Sequence, residues 1–284
     1  MRKNTLSRKE DWIKSAALAL GSAVAAGSGA LAYARFVEPA NIEVKRMSLT
    51  LGRLGAAFDG YRIVQLSDIH MDGVMSRERL ADVVALVNAE APDIVVITGD
   101  FVSNRIGFAA DDLIAPLRDL SATDGKLAIT GNHDQREHRA AVRRVIAESG
   151  LTNLNNSVIS VQRGEDVLHF AGVDSMYRQR ARLDIVLDQL PQDGAAVLLA
   201  HEPDFADVSA AVGRFDLQLS GHSHGGQVRL PWLFRFGLPK YGERYVMGLH
   251  LVAGMLLYVN RGLGMTSLPI RFNCRPEVTV PPAG

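Results

Sequence analysis

Short apolar runs alternate with amphipathic stretches along the chain from residue 61 onward. This alternation is typical of an α/β protein, in which buried strands are joined by helices. The apolar runs predict buried strands at 62–66, 94–98, 127–130, 196–200 and 217–220. The amphipathic stretches at 77–90 and 135–149 predict helices. The first helix should end before Pro92, because a residue that precedes proline disfavours helical backbone.

The N-terminal segment has a different pattern, with twenty uncharged residues from Ser15 to Ala34. At ~1.5 Å per residue, such a helix just spans a hydrocarbon core of ~30 Å. We expect a basic N-terminal region at 1–14, a transmembrane anchor or cleaved export signal at 15–37, and a folded domain at 41–284. A soluble helix is the third interpretation, because Ala, Gly and Ser outnumber strongly apolar residues in this segment.

Polar side chains follow each of the five predicted strands directly. These residues are, strand by strand, Asp68 and His70; Asp100; Asn132, His133 and Asp134; His201; and His222 and His224. In open α/β sheets, ligands bind beyond the carboxyl ends of the strands, so these side chains are expected to form one site. Each motif alone occurs often by chance, but turn chemistry does not explain five together.

The residue types at this site indicate metal chemistry. Carboxylate, amide and imidazole groups suit Mn, Fe, Zn or Mg, and seven ligands drawn from these nine side chains would exceed what a single ion accepts. Two ions sharing one carboxylate would hold a bridging water and lower its pKa until it is a nucleophile near neutral pH. The positive charge left on such a site favours an anionic phosphoester over a neutral amide as substrate.

Composition narrows the function further. The chain has 284 residues, of which 47% are hydrophobic and 22% charged, so it is a packed globular protein and not a disordered one. Lys+Arg and Asp+Glu both total 31, which argues against a nucleic-acid partner. Cys274 is the only cysteine, so an intramolecular disulfide and a thiolate metal cage are excluded.

The order of these motifs resembles that of the calcineurin-like binuclear metallophosphoesterases over roughly residues 60–280. The matching motifs are Asp-x-His at 68–70, Gly-Asp at 99–100, Gly-Asn-His-Asp at 131–134, His201, and Gly-His-x-His at 221–224. The resemblance implies an α/β fold with a two-sheet sandwich flanked by helices, preceded here by the N-terminal hydrophobic segment. It also implies metal-dependent hydrolysis of phosphoester or pyrophosphate bonds by the domain at 41–284.

Site roles follow from the same resemblance. One metal would be held by Asp68, His70, Asp100 and His224, and the other by Asp100, Asn132, His201 and His222. His133 would stabilise the transition state or protonate the leaving oxygen, with Asp134 orienting it. Many members have an aspartate three residues after the bridging one, where this chain has Ser103, so any role of that aspartate is in doubt here.

The segments 221–227 and 261–277 resemble the membrane-anchored branch of this family. That branch includes phosphodiesterases and a UDP-2,3-diacylglucosamine pyrophosphatase of lipid A synthesis. We therefore expect a phosphorylated or nucleotide-linked lipid as substrate and an enzyme at the inner or cell membrane. A general phosphodiesterase of the cell envelope is the alternative.

Two signals disagree about the side of the membrane on which the folded domain lies. Five Lys or Arg residues precede the apolar segment and four follow it closely, which slightly favours a domain outside the cell. A UDP-linked substrate is made in the cytoplasm. Because a difference of one charge is poor topological evidence, we expect the domain on the cytoplasmic face.

The segment 230–241, directly after the last ligand motif, is rich in aromatic residues and proline. It predicts either a loop packed on the core or a rim in which Trp232 and Phe234 bind the substrate.

The sequence argues against two further functions. Residues 221–225 match the Gly-x-Ser-x-Gly elbow of serine hydrolases, but the following sequence through Pro231 cannot start the helix that the elbow requires. A non-catalytic metal-binding module predicts broken ligands, and here every ligand position and His133 are intact.

Overall fold

The computed structural model describes residues 3–72, 74–103, 110–135, 138–230, 237–266, 268–280 and 282–283. Its helices are, in chain order, α1 (Lys3–Ala32), α2 (Arg77–Ala89), α3 (Ala110–Arg118), α4 (Arg139–Glu148), α5 (Leu183–Gln189) and α6 (Ala206–Ser209). Its strands are β1 (Glu43–Arg46), β2 (Tyr61–Leu66), β3 (Ile94–Thr98), β4 (Lys126–Ile129), β5 (Thr152–Asn153), β6 (Ser157–Arg163), β7 (Asp166–Gly172), β8 (Ala195–Leu199), β9 (Leu217–Ser220), β10 (Gly248–Val252), β11 (Met255–Val259), β12 (Glu277–Val280) and β13 (Pro282–Ala283).

Within the described residues, these strands form two sheets. The first has the order β1-β12-β2-β3-β4-β5, with β13 paired to β2, and its strands β2 to β5 are parallel. The second has the order β10-β11-β9-β8-β7-β6, with β7, β8, β9 and β11 parallel. The prediction of an α/β two-sheet sandwich is therefore confirmed.

Opposite faces of each central strand enter different hydrophobic cores. In β3, Ile94 and Val96 pack between the two sheets, whereas Val95 and Ile97 pack in the core that also holds residues of α2, α3 and α4. A third core lies on the second sheet and includes residues of α5 and α6. Because both faces of such strands are buried, the sequence reads as uninterrupted apolar runs and not as alternation.

The predicted elements agree with the observed ones to within one residue at all five strands and at α2. The predicted helix at 135–149 begins later, at Arg139, because residues 131–135 form the loop that carries site side chains. One further difference concerns topology: β2, β3 and β4 belong to one sheet and β8 and β9 to the other. The site is therefore built by two sheets and not by the single open sheet that the strand-end argument assumed.

The N-terminal helix is long and apolar enough to cross a membrane. The segment Trp12–Ala40 has a mean hydropathy of 1.5, and no residue of its apolar window is buried in the structure. Helical backbone continues through a π-helical turn (Tyr33–Val37) and a 3₁₀ turn (Glu38–Ala40) into the folded domain. Among the described residues, this is the one helix that meets the test of length and composition.

The end of this helical segment is fixed to the C-terminal loop at 261–276. The backbone N–H of Arg271 donates to the carbonyl of Ala34 at 2.9 Å. The N–H of Cys274 donates to the buried carboxylate of Glu38, and the rings of Tyr33 and Phe272 meet edge to face. The helix therefore joins the domain through specific contacts and not through a free linker.

Arg271 organises the same loop from within. Its side chain is fully buried, and its guanidinium donates to the carbonyls of Arg261, Gly262, Gly264 and Cys274. Burial lowers its pKa. The N–H donors of one guanidinium thus pair four backbone carbonyls, of which that of Gly262 also accepts the backbone N–H of Glu277.

We predict that Arg271→Met destabilises the domain, because the substitution leaves several buried carbonyls without donors. Each such group costs about 1–3 kcal/mol, so a loss of about 3 kcal/mol or more is expected. Urea unfolding followed by circular dichroism measures it. The control is Arg182→Met, which removes an exposed arginine paired to Asp184. Equal unfolding midpoints for the two variants would contradict this role of Arg271.

Candidate metal centre

Each predicted metal ligand lies within four residues of the end of a strand, in a loop at the carboxyl edge of its sheet. All seven side chains belong to residues that are at most 7% exposed: Asp68, His70, Asp100, Asn132, His201, His222 and His224. Buried polar groups on this scale require partners.

Asp68, His70 and His224 form one cluster that could hold a metal ion. The Nε2 atoms of the two histidines are 3.1 Å apart, and Asp68 Oδ1 lies 3.4 Å from His224 Nε2 and 3.8 Å from His70 Nε2. These atoms converge on one point from strands of different sheets, β2 and β9.

Asp100, His201 and His222 form a second such cluster. Asp100 Oδ2 lies 3.1 Å from His201 Nε2, and His201 Nε2 lies 3.2 Å from His222 Nδ1. The same Oδ2 atom is 3.6 Å from His70 Nε2, which belongs to the first cluster. Asp100 is therefore the carboxylate shared by the two clusters.

Asn132 lies beside the second cluster and lines the same cavity as Asp100 and His222. Its buried Oδ1 accepts no hydrogen bond from the described residues. A free amide oxygen next to carboxylate and imidazole groups is a suitable ligand atom for a hard or borderline metal cation. The residues present thus fit two divalent ions.

The outer nitrogens of two histidines are fixed by backbone carbonyls. His201 Nδ1 lies 2.7 Å from the carbonyl of Thr98, and His222 Nε2 lies 2.9 Å from that of Lys240. Each carbonyl selects the tautomer that leaves the other nitrogen free as an acceptor facing the cluster. This explains why His201 presents Nε2 to the cluster and His222 presents Nδ1.

Five of the seven residues have left-handed backbone, which non-glycine residues adopt rarely. Their φ angles lie between 47° and 70°: Asp68, His70, Asp100, His222 and His224. Such conformations cost about 1–3 kcal/mol each and persist where the surrounding structure imposes them. Their concentration at one place is independent evidence of a functional site.

Two glycines allow the loops to approach the carboxylates. A Cβ atom at Gly131 would lie 2.1 Å from Asp100 Oδ1, and one at Gly221 would lie 2.2 Å from Asp68 Oδ2. No side chain fits at either position. The glycines that precede Asn132 and His222 in the motifs are therefore required by the packing of backbone against the clusters.

The charges of the two clusters are mutually dependent. Burial alone would raise the pKa of Asp68 and of Asp100, but the surrounding imidazoles, chiefly His224 at Asp68 and His201 at Asp100, lower both well below their usual range. Burial would lower the pKa of His201, but Asp100 and Asp68 raise it well above its usual value. The buried carboxylates thus demand compensating positive charge, which divalent cations also supply.

Asp134 lies elsewhere than the resemblance implied. Its carboxylate accepts backbone N–H donors from Asp100, Phe101, Val102 and Gly131, and no hydrogen bond joins it to His133 in the described structure. It therefore braces the loop of Asp100 and the start of the loop that carries His133. Burial, followed by the charge of Asp100, raises the pKa of Asp134 to about 7.

His133 occupies the position expected for a group that faces the substrate. It lines the cavity of about 620 Å³ above the clusters, and its ring meets that of His70 edge to face at 5.0 Å. Its backbone N–H donates to Asp100 Oδ1 at 2.9 Å, which leaves Oδ2 for the clusters. Its Nδ1 makes no hydrogen bond with a described residue, so this ring is not held by the protein at that atom.

The same cavity includes residues that sequence reasoning missed. Tyr177 and Lys240 line it, and Arg178 donates two hydrogen bonds to the carbonyl of Asn132. No motif marks Tyr177 or Arg178, because their loop follows no predicted strand, whereas Lys240 belongs to the segment 230–241 that the sequence predicted as a core-packed loop or a rim. Ser103 also lines the cavity, with a buried hydroxyl that has no partner among the described residues. Trp232 and Phe234, the candidate rim, lie outside the described residues.

Comparisons with known proteins identify the family. Residues 61–226 match the family model for the calcineurin-like phosphoesterases. The chain is 35% identical to the uncharacterized metallophosphoesterase YkuE of Bacillus subtilis, over 97% of this chain and 96% of that protein. It is 29% identical to the phosphodiesterase YaeI of Escherichia coli, over 91% and 94%. It is also 30% identical to a Danio rerio transmembrane protein with a metallophosphoesterase domain, over 84% of this chain and 56% of that protein.

The family model spans more than half of the chain and includes all seven ligand positions. Both the two-sheet fold and the two clusters of carboxylate and imidazole groups agree with it. The chain belongs to the calcineurin-like phosphoesterase family and is a hydrolase of phosphoester bonds.

Proposed function

We propose that this protein is a membrane-anchored, binuclear phosphodiesterase that cleaves its substrate by hydrolysis at phosphorus. Asp68, His70, Asp100 and His224 hold one divalent ion, and Asp100, Asn132, His201 and His222 hold the other. Mn, Fe, Zn and Mg all suit this donor set. The observation that carries the proposal is the position of Asp100 Oδ2 between His70 Nε2 and His201 Nε2, at 3.6 and 3.1 Å.

The ions, when bound, supply hydroxide near neutral pH and charge stabilisation for the phosphoryl oxygens. The protein contributes the fixed positions around them. Asp134 and the backbone N–H of His133 hold the Asp100 carboxylate, and the carbonyls of Thr98 and Lys240 hold His201 and His222. Because these groups are already in place, little reorganisation is required when charge develops on the substrate.

His133 then acts on the leaving oxygen. It lines the cavity next to the shared carboxylate but its Nδ1 is free of hydrogen bonds within the described structure. We assign it the donation of a hydrogen bond or proton to the oxygen that departs from phosphorus. Lys240, which lines the same cavity, adds a cation that suits an anionic substrate.

The end of the apolar N-terminal helix lies close to one wall of the cavity above the metal clusters. This proximity favours a lipid-linked substrate. Phe272, which contacts Tyr33 at the end of the apolar helix, pairs in a parallel bridge with Val228, which lines the cavity. Met265 and Leu268 line the same wall, and Leu268 is 62% exposed. A substrate with an apolar tail at the membrane surface would meet this wall.

Two lipid-linked substrates would fit this arrangement. The relative named as a phosphodiesterase favours a phosphodiester, and the apolar wall favours a lipid as the group that it carries. UDP-2,3-diacylglucosamine, from lipid A synthesis, is the second and requires the domain at 41–284 to lie on the cytoplasmic face. A reporter fused to the C-terminus determines the face, and a domain outside the cell excludes the UDP-linked lipid.

We predict that Asp100→Asn releases at least one metal ion and abolishes almost all turnover. The amide carries no charge to share between the two clusters, so at least one ion is lost, and with it the hydroxide that the pair would supply. Elemental analysis of the purified full chain and hydrolysis of a chromogenic phosphodiester measure the two effects. Full metal content together with wild-type turnover would refute the assignment of Asp100.

His133→Ala is the matched comparison, because it removes a neighbouring imidazole that is not assigned as a ligand. The metal content should stay at the wild-type level while turnover falls by ~10²–10⁴, the usual range for loss of a general acid or base. The same two assays apply. Loss of metal in this variant would show that His133 is a ligand and not a proton donor.

Leu268→Ser should lower the turnover of a lipid-linked phosphodiester in mixed micelles while sparing a small chromogenic diester. The control is Leu251→Ser, which changes a leucine on β10 that is 72% exposed. UMP release from the UDP-linked lipid is measured in the same micelles. Equal losses on both diesters would show that the wall supports the fold and does not contact the lipid.

A further inference from the structure

A second cavity, of about 210 Å³, adjoins the loop that carries Asn132 and His133. Thr130 and Gln135, at the two ends of that loop, line it, and it shares no lining residue with the cavity above the metal clusters. Ligand pockets for drug-sized molecules measure roughly 300–1,000 Å³. The second cavity therefore suits a smaller molecule.

Two arginines supply positive charge to this cavity. Arg139 and Arg143 lie one turn apart on α4, and both line the cavity. Neither has a hydrogen bond or ion pair with the rest of the described structure, whereas the adjacent Arg144 pairs with Asp111 and Glu148. Paired guanidinium groups of this kind recognise phosphate or carboxylate oxygens.

Acceptor atoms line another part of the same cavity. Gln135 is 5% exposed, and its buried Oε1 accepts no hydrogen bond from a described residue. Asp174 is 7% exposed, and its Oδ1 already accepts from Thr130, Gln135 and Ser175. Its Oδ2 accepts no hydrogen bond within the described ranges. The buried Gln135 oxygen therefore requires a donor that the described residues do not provide, and the Asp174 carboxylate places a negative charge in the same cavity.

The two sets of groups together define the ligand. A bare phosphate would satisfy the arginines but would meet repulsion from Asp174. A molecule with a phosphate at one end and hydroxyl groups at the other satisfies both sets. We propose that this cavity is a binding site for a small phosphorylated polyol, separate from the metal centre.

The second cavity lies against the loop that carries Asn132 and His133, so a ligand bound there could affect catalysis. Thr130 Oγ1 accepts hydrogen bonds from Gln135 at 3.0 Å and from Asn155 at 2.7 Å, so these residues brace the loop from 130 to 135. A ligand seated here contacts the groups that hold Asn132 and His133 in place. The site itself does not depend on the proposed phosphodiesterase activity, because none of its residues is a predicted metal ligand.

The test is calorimetric titration of the metal-loaded full chain with glycerol 3-phosphate. The wild type should show one binding event beyond any at the metal centre. Arg139→Ala and Arg143→Ala should each weaken that event by roughly tenfold or more, since each removes charge-assisted hydrogen bonds. Arg144→Ala is the control, because it removes an equal charge from the same helix, and should leave the event unchanged.

Inorganic phosphate and glycerol, titrated separately, test the ligand class. Each should bind at this event more weakly than glycerol 3-phosphate does. Equal affinity for inorganic phosphate would overturn the assignment of a polyol. Unchanged binding in both the Arg139 and the Arg143 variants, or no second event in the wild type, would overturn the site. Because these titrations measure binding alone, their failure is distinguishable from failure of the proposed hydrolysis.

Discussion

The buried carboxylate of Asp100 must lie between imidazoles that arrive from two different sheets, and the geometry of the metal centre depends on this. Its Oδ2 is within 3.6 Å of His70 and 3.1 Å of His201, on the loops after β2 and β8. Oδ1 is held by the N–H of His133, and the Asp100 N–H is held by Asp134. Burial of a charged carboxylate in this way costs desolvation free energy, which only cationic partners can offset. The sandwich of two sheets is what brings those partners together.

Several local features follow from the need to bring five loops to one point. The left-handed backbone at Asp68, Asp100 and His222 turns each chain directly after its strand, and Gly131 and Gly221 admit the carboxylates where no Cβ would fit. The strain is concentrated where the clusters form, and the apolar strands behind them are packed on both faces. Function and stability are thus separated in the structure, because strained loops are supported by unstrained, buried strands.

Much of this arrangement could be predicted from the sequence, because the ligands follow apolar strands that are easily recognised. The convergence of these ligands could be predicted from the rule that the carboxyl ends of parallel strands meet at one edge of a sheet. The division of the strands between two sheets was not predictable from periodicity, since strands of both sheets are equally apolar. Likewise, the contact of Asp134 with the loop of Asp100 joins residues 34 positions apart in the chain. Adjacency to His133 in the sequence suggested a different partner. Arg139 and Arg143 gave no sequence signal, because an exposed basic helix face is ordinary.

The most direct test of the shared carboxylate is anomalous X-ray diffraction from crystals of the full chain grown with Mn²⁺. We expect two anomalous peaks, ~3.5–4 Å apart, one on each side of the Asp100 carboxylate, as in other two-metal sites. One peak should lie beside Asp68, His70 and His224, and the other beside Asn132, His201 and His222. A single peak, or two peaks of which only one contacts Asp100, would contradict the account.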